Sequence, residues 1–490
     1  KIVGAAGTTA VIFGTITPNA SRYGRKCYNS AVVARRGNVV GRVHKTLLPT
    51  YDVFDDLRYF EPNETFGCIE IEGARLGITV CEDIWYNEND IQYHVYELNP
   101  AKELAEQGAD AIVNISASPF TKTKPAGRLE MLMNHARALD LPLFYCNQVG
   151  GNTELVFDGD SMAVDAGGLP VARTPLFEEA FVDLEWEPKK RSLTTNGNGP
   201  AEVPSKQEGV FGALVLGLKD YLRKTGISRK AVLGLSGGID SSLVACIAAK
   251  ALGPENVTGV TMPSEFSSEG SVSDSEELAE RLGIKLHRLS IGEIYDRYEQ
   301  TLNPLFEDSP FGTAEENLQS RIRGALLMAI SNKFGHILLN TGNKSELATG
   351  FCTLYGDMNG GLAVISDLYK TEVYELARWL NEFHYGREMI PEAVIQKAPS
   401  AELRPGQKDT DTLPEYDTLD PILYLYIEKQ KPAEAIAEAG FDLDTVQKII
   451  KRVDQYEYKR FQAVPGLKVS TKAFGSGRRW PIAQQWTNQH

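Results

Sequence analysis

No apolar run in the 490 residues approaches the ~18 needed for a membrane-spanning helix, so no membrane partner is expected. Cysteine is scarce and scattered. Cys27, Cys68, Cys81, Cys146, Cys246 and Cys352 include no C-x-x-C pair, which argues against zinc and disulfide frameworks and for a reducing cytoplasm. Positive charge is also in short supply: 51 Lys and Arg stand against 65 Asp and Glu, a net of −14. Nucleic-acid-binding domains are usually basic, so no nucleic-acid partner is expected. Neither G-x-x-x-x-G-K-S/T nor G-x-G-x-x-G occurs, which removes the P-loop NTPases and the usual dinucleotide fingerprint.

What is present begins with ordinary globular composition, 42% hydrophobic and 24% charged, over a length that predicts several domains. Short β-rich runs, VIFGTI, YNSAVVA, NVVGRVH, CIEIEG and RLGITVCED, alternate with polar turns through the first part. Helical patterns over 101–107 and 127–139 then alternate with the strands DAIVNISAS and LPLFYCNQV. These predict an α/β domain over 1–188. The tract PKKRSLTTNGNGPAEVPSKQ is polar and rich in Pro, Gly and Lys, so 189–207 is predicted as an exposed linker. Over 208–490 the strands KAVLGL, NVTGVTM, IKLHRL and GHILLNT separate helical patterns over 242–252, 275–282 and 317–334. This predicts a doubly wound parallel sheet.

The sharpest local signal is LGLSGGIDSS, 233–242, between a buried strand and a helix. Amides at a helix start have no intrahelical partners and carry the positive end of the dipole. Gly237 and Gly238 let an anion approach the main chain, and Ser236, Ser241 and Ser242 add hydroxyl donors. The segment EENLQSRIRGALLM places Arg321 and Arg323 two apart on a helix, so their side chains diverge. NTGNKSELATG follows a strand and places Asn343, Lys344 and Glu346 at the carboxyl edge of the sheet beside the phosphate loop. Lys370 opens the helical run of SDLYKTEVYELARWL, where a cation is disfavoured unless an anion balances it.

S-G-G-x-D-S resembles the pyrophosphate loop of the N-type ATP pyrophosphatases (PP-loop, adenine nucleotide alpha hydrolase type), a group that includes NAD, GMP and asparagine synthetases. The ordered set SGGIDSS, TMPS, EENLQSRIRG, TGNKSE, TLYGDMNGG, SDLYKTEVYELAR, KAPSAELRPGQKD and GLKVSTKAFGSGRRWPI is similar to the synthetase domain of the glutamine-dependent NAD synthetases. That resemblance implies ATP and Mg²⁺ as cofactors and small-molecule substrates. It places Ser236, Gly237, Gly238, Ile239, Asp240, Ser241, Ser242, Thr261, Met262, Lys370 and Ser400 at ATP. It places Asn317, Arg321, Arg323, Glu346 and Asp357 at deamido-NAD, and Asp240 and Glu346 at the metal. A homo-oligomer is also expected.

In the first domain, VHKTLLPTYDVFDDLRYFEPNE, VCEDIW and NISASPF resemble the nitrilase-type glutamine amidotransferase domain fused to these synthetases, an αββα sandwich. The resemblance makes Cys81 the nucleophile and Lys45 the oxyanion partner, with Tyr51, Phe54 and Ser118 near the glutamine. The family's general-base Glu lies on a strand before the Lys. Residues 1 to 44 hold Lys1, Arg22, Arg25, Lys26, Arg35, Arg36 and Arg42 but no Asp or Glu. The start of the domain is therefore expected to be missing.

Overall fold

The computed structural model describes residues 1–85, 96–190, 192–197, 199–307 and 309–484. The chain divides into two compact units, Lys1–Gly150 with Phe157–Ser205, and Gly151–Val156 with Lys206–His490. Among the described residues no helix is long and apolar enough to cross a membrane.

The first unit is built on two sheets. Val11–Pro18, Cys27–Arg35 and Asn38–His44 form an antiparallel meander, whose tight second turn uses Arg36 and Gly37 at positive φ. The larger sheet runs in the order Pro170–Arg173, Met162–Val164, Leu143–Asn147, Ala111–Ser116, Ala74–Val80, Ile69–Ile71. Its three central strands are parallel. Period-two alternation explains the layering. In Ala111–Ser116, Val113 and Ile115 join Ala31, Val33, Ile78 and Val80 between the sheets. Ile112 points the other way, into a core with Leu104 and Leu132 of the covering helices Pro100–Glu106 and Lys124–Leu139. The result is the expected sandwich of sheets with helices outside.

In the second unit five parallel strands stand in the order Lys285–Arg288, Val257–Thr261, Ala231–Gly234, Ile337–Asn340, Leu362–Ala363. The first strand in sequence is central, and successive connections go first to one side and then to the other. The crevice between Ala231–Gly234 and Ile337–Asn340 is thus the topological switch point, where such sheets bind ligands beyond their carboxyl ends. The helix after the first strand, Ile239–Leu252, is apolar on all sides, with Leu243, Val244, Cys246, Ile247 and Ala248 fully buried. A further helical group, Tyr416–Ile427, Ala433–Ala437 and Leu443–Gln455, forms its own core.

The structure departs from the sequence reading in two places. The tract expected as an exposed linker carries a strand, Ser192–Thr195, paired antiparallel with Leu184–Glu187. Leu193, the one large apolar residue of that strand, packs with Phe144 and Trp186, a signal too sparse to register against the polar background. Positions 191 and 198 of that tract lie outside the described residues. The second departure is Gly151–Val156, which groups with the second unit although it lies within the first in sequence.

Candidate functional site

Strand Ala231–Gly234 passes through Leu235–Gly238 into helix Ile239–Leu252. Gly237 is required there on two grounds: its φ is +74°, and a Cβ would stand 2.2 Å from the Ser271 carbonyl oxygen. The hydroxyls of Ser241 and Ser242 donate to the Gly238 carbonyl at 3.1 and 2.8 Å, which knits the first turn together. Ser236, Gly238, Ile239, Asp240 and Ser241 line a cavity of about 320 Å³. The cavity therefore meets the amide end of a deeply buried helix, a natural anion seat.

Charge is concentrated beside that loop. Lys370 is the first residue of helix Lys370–Trp379. Its ammonium hydrogen-bonds Asp240 Oδ2 and lies 3.7 Å from Glu346 Oε1. The Asn343 amide donates to Asp240 Oδ1 at 3.0 Å. Asn343 and Glu346 cap each other's backbone reciprocally at 3.0 and 3.1 Å, so the cap of helix Lys344–Thr349 aims Glu346 into the cavity. Burial and the neighbouring Asp240 raise the Glu346 pKa, against the pull of Lys370. Burial opposes the charge on Lys370, but Asp240 and Glu346 outweigh it and hold its pKa above the ordinary lysine range.

Asp409, which ends the motif KAPSAELRPGQKD but takes no role from the sequence, lines the same cavity. Its Oδ2 accepts from the Tyr416 hydroxyl at 2.8 Å, while its buried Oδ1 has no hydrogen-bond partner. One ammonium thus serves several carboxylates. That imbalance suits a hard divalent cation held by one or two carboxylates, with phosphate oxygens completing its shell. Among the described residues no group of three or more His, Cys, Asp or Glu forms a metal centre unaided.

The remaining predicted residues divide. Thr261, Met262, Arg323, Asp357 and Ser400 line the cavity. Arg323 donates to the Met262 carbonyl at 3.0 Å and to Ser264 Oγ at 3.3 Å, and burial lowers its pKa to about 10 against the opposing field of Glu402. Burial pushes Asp357 up to about 6 although the Thr353 amide donates to it at 2.7 Å. Asn317 and Arg321 are absent from the cavity lining. Asn317 Oδ1 instead accepts from Thr353 at 2.7 Å, and Arg321 Nε donates to the Leu354 carbonyl at 3.2 Å. The two arginines do diverge. Ser242 also turns from the cavity to the helix backbone.

Lys344 corrects a second reading. Its segment is expected at the carboxyl edge of the sheet beside the phosphate loop, yet its side chain is fully buried away from the cavity. There it pairs with Asp367 at 2.9 Å and Glu428 at 3.0 Å.

The first unit carries a separate constellation. Cys81 follows strand Ala74–Val80 and opens the 3-10 turn Cys81–Ile84. Its φ of +48° lies in the left-handed region, a strained placement of the kind that clusters at reactive sites. Asp83 ties the turn to the Lys45 segment by accepting from the amides of Thr46, Leu47 and Val80 at 2.9, 2.8 and 3.0 Å. Burial raises the Asp83 pKa to about 6 despite those three bonds.

Lys45 is buried and pairs with Asp56 at 2.5 Å. Its pKa is raised, because Cys81 and Asp56 outweigh the burial that opposes its charge. Tyr51 donates to Glu82 at 2.6 Å and meets the Phe54 ring edge-on at 5.6 Å. Ser118 is buried with an unpartnered hydroxyl oxygen.

Lys124, missed in the sequence, lies 4.6 Å over the Trp85 ring. Burial and Arg128 lower its pKa to about 8, against the fields of Cys81 and Glu82. As a lysine in a polar T-K-T-K run it carried no sequence signal.

A cysteine turn with two lysines in one unit, and a phosphate loop with a carboxylate–ammonium cluster in the other, define a two-site enzyme class: amide hydrolysis joined to nucleotide-driven activation. Residues 5–187 match the carbon-nitrogen hydrolase family and residues 210–463 the NAD synthase family. The glutamine-dependent NAD(+) synthetase of Synechocystis sp. is 51% identical, the match spanning 98% of this chain and 86% of that one. That of Thermotoga maritima is 44% identical over 94% of this chain and 83% of its own. The solved glutamine-dependent NAD+ synthetase of Acinetobacter baumannii, in complex with adenosine diphosphate, superposes with a TM-score of 0.74 at 38% identity, covering 98% of this chain and 85% of that one. The chain belongs to the glutamine-dependent NAD(+) synthetase family.

Proposed function

We propose that the chain amidates deamido-NAD to NAD, spending ATP to AMP and pyrophosphate and taking its nitrogen from glutamine. The observation that carries this reading is the convergence of Asp240, Glu346 and Lys370 on the phosphate loop within one cavity. A carboxylate resists attack by ammonia because its negative charge makes the carbon a poor electrophile and its resonance is lost in the addition. Transfer of the AMP moiety to one carboxylate oxygen, with departure of pyrophosphate, gives a mixed anhydride. Ammonia then adds to its carbonyl carbon, AMP leaves, and a proton is released.

In this reading the loop amides from Ser236 to Ser242 hold the departing pyrophosphate, and Lys370 balances charge on the transferred phosphoryl group. Asp240 and Glu346 are the residues that would hold Mg²⁺, which supplies Lewis-acid neutralisation of phosphate oxygens. Thr261, Met262 and Ser400 stand with the nucleotide. Arg323, a buried cation lining the cavity, and Asp357 face deamido-NAD. Asn317 and Arg321 support that wall from outside the cavity, through the Thr353–Leu354 segment to which they bond.

In the first unit Cys81 Sγ adds to the glutamine side-chain amide carbon, Lys45 stabilises the resulting oxyanion, the thiol proton departs with the nitrogen as ammonia, and water then hydrolyses the thioester to free Cys81 and release glutamate. Tyr51, Phe54 and Ser118 shape the glutamine seat, and Lys124 offers its ammonium to the substrate carboxylate. Six free cysteines suit a reducing cytoplasm.

Pyrophosphate release tests the reading. It should require both ATP and deamido-NAD, and Asp240→Ala or Glu346→Ala should slow it by ~10²-fold or more. Near-normal release in both variants would overturn the metal assignment.

A further inference from the structure

Lys370 occupies an unfavourable place in the fold: a cation at the first position of a helix, where the dipole is positive. Asp240 and Glu346 balance its side chain, but its backbone is held by a different group. The Lys370 amide donates to Ser345 Oγ at 2.9 Å. The Ser345 hydroxyl in turn donates to Asp420 Oδ1 at 2.6 Å, and the Thr371 amide donates to Asp420 Oδ2 at 2.8 Å. A single carboxylate therefore caps the first two residues of the Lys370 helix, one directly and one through a serine.

Ser345 immediately precedes Glu346 in helix Lys344–Thr349. The relay joins the element carrying Glu346 to the element carrying Lys370. Ser345 is fully buried and Asp420 is 3% exposed, and neither lines the cavity. Asp420 lies one turn beyond Tyr416 in helix Tyr416–Ile427. The Tyr416 ring sits 5.7 Å from the Lys370 ammonium, so this helix braces Lys370 at backbone and side chain alike.

We infer that Asp420, acting through Ser345, is a positioning residue for adenylation, fixing the Lys370 ammonium against Asp240 and Glu346 without touching substrate. The inference rests on the reading of Lys370 given above. Asp420→Asn keeps the size of the side chain but forces one of its two acceptors to become a donor facing an amide or hydroxyl. The relay then loses a bond and the helix start loses its countercharge.

The test is a double-mutant cycle on the full chain, read as pyrophosphate release with saturating ammonia. Asp420→Asn should lower kcat by ~10-fold or more, with a much smaller change in the ATP KM, since what is lost is placement of a charge needed in the transition state. In a Lys370→Ala background the same substitution should cost little further, because the group being positioned is gone. Ser345→Ala should follow the same pattern, and Ser345→Thr, which keeps the hydroxyl, should recover much of the rate. Multiplicative losses in the cycle, or unchanged kcat in soluble, folded Asp420→Asn protein, would overturn the inference. If Lys370→Ala itself leaves adenylation intact, the reading of the cavity fails instead. If Asp420→Asn does not fold, the Ser345 variants decide by the same cycle.

Discussion

Lys344 Nζ lies 2.9 Å from Asp367 Oδ1 with both side chains buried, while Glu346, two residues on, faces the cavity. The same short helix thus sends a cation into the core and an anion to the site. Lys344 also meets Glu428 at 3.0 Å and Ser470 at 2.7 Å, joining the cavity wall to the C-terminal segment. Removing only the cation leaves two buried carboxylates without their shared countercharge, a loss that commonly costs ~3–5 kcal/mol, while the hydrogen bonds from Val469, Ser470 and Thr471 remain. Lys344→Met should therefore lower the chemical denaturation midpoint substantially, and a variant as stable as the parent would refute this role for the pair.

Replacing Cys81 should separate the two activities. Cys81→Ala is expected to cut glutamine-supported NAD formation by ~10³-fold or more, because a covalent route cannot start without the thiol. Ammonia-supported formation should persist near the parental rate, since the cavity of the second unit contains no residue of the cysteine turn. Loss of both activities in folded protein would contradict the assignment of Cys81 to nitrogen supply alone.

Glutamine binding should weaken above about pH 8, and Lys124 gives the reason. Its pKa in the free protein is lowered to about 8 by burial and Arg128. A bound carboxylate would favour the ammonium and raise that value, so above about pH 8 binding must take up a proton. Affinity then falls by up to ~10-fold per pH unit until the pKa of the bound state is reached. Calorimetry of glutamine with Cys81→Ala protein should show this fall together with proton uptake. Lys124→Met should bind weakly with little pH dependence, and an unchanged profile in that variant would remove Lys124 from the glutamine seat.

Most of the second unit's strands were legible because buried parallel strands are continuous apolar runs, as in KAVLGL and GHILLNT. The loop was legible because Gly237 and the serines have a local chemical reason to be there. Lys344 was misread because sequence adjacency fixes only the helix. Which way a side chain leaves it depends on Asp367 and Glu428, 23 and 84 residues away. Asp409, though it ends the motif KAPSAELRPGQKD, and Lys124 were given no role for the same reason: tertiary packing alone brings them to a site. Leu193 shows the converse limit, since one apolar residue cannot announce a strand.

The most direct measurement follows oxygen. Deamido-NAD carrying heavy oxygen at both positions of its nicotinate carboxylate should transfer one labelled atom to the phosphate of AMP, because adenylation joins that oxygen to phosphorus and ammonia later displaces it from carbon. AMP two mass units heavier, formed in step with unlabelled pyrophosphate and with NAD keeping one label, is the result this account predicts. Unlabelled AMP, or label in pyrophosphate, would mean that the carboxylate is not activated by adenylation in this cavity.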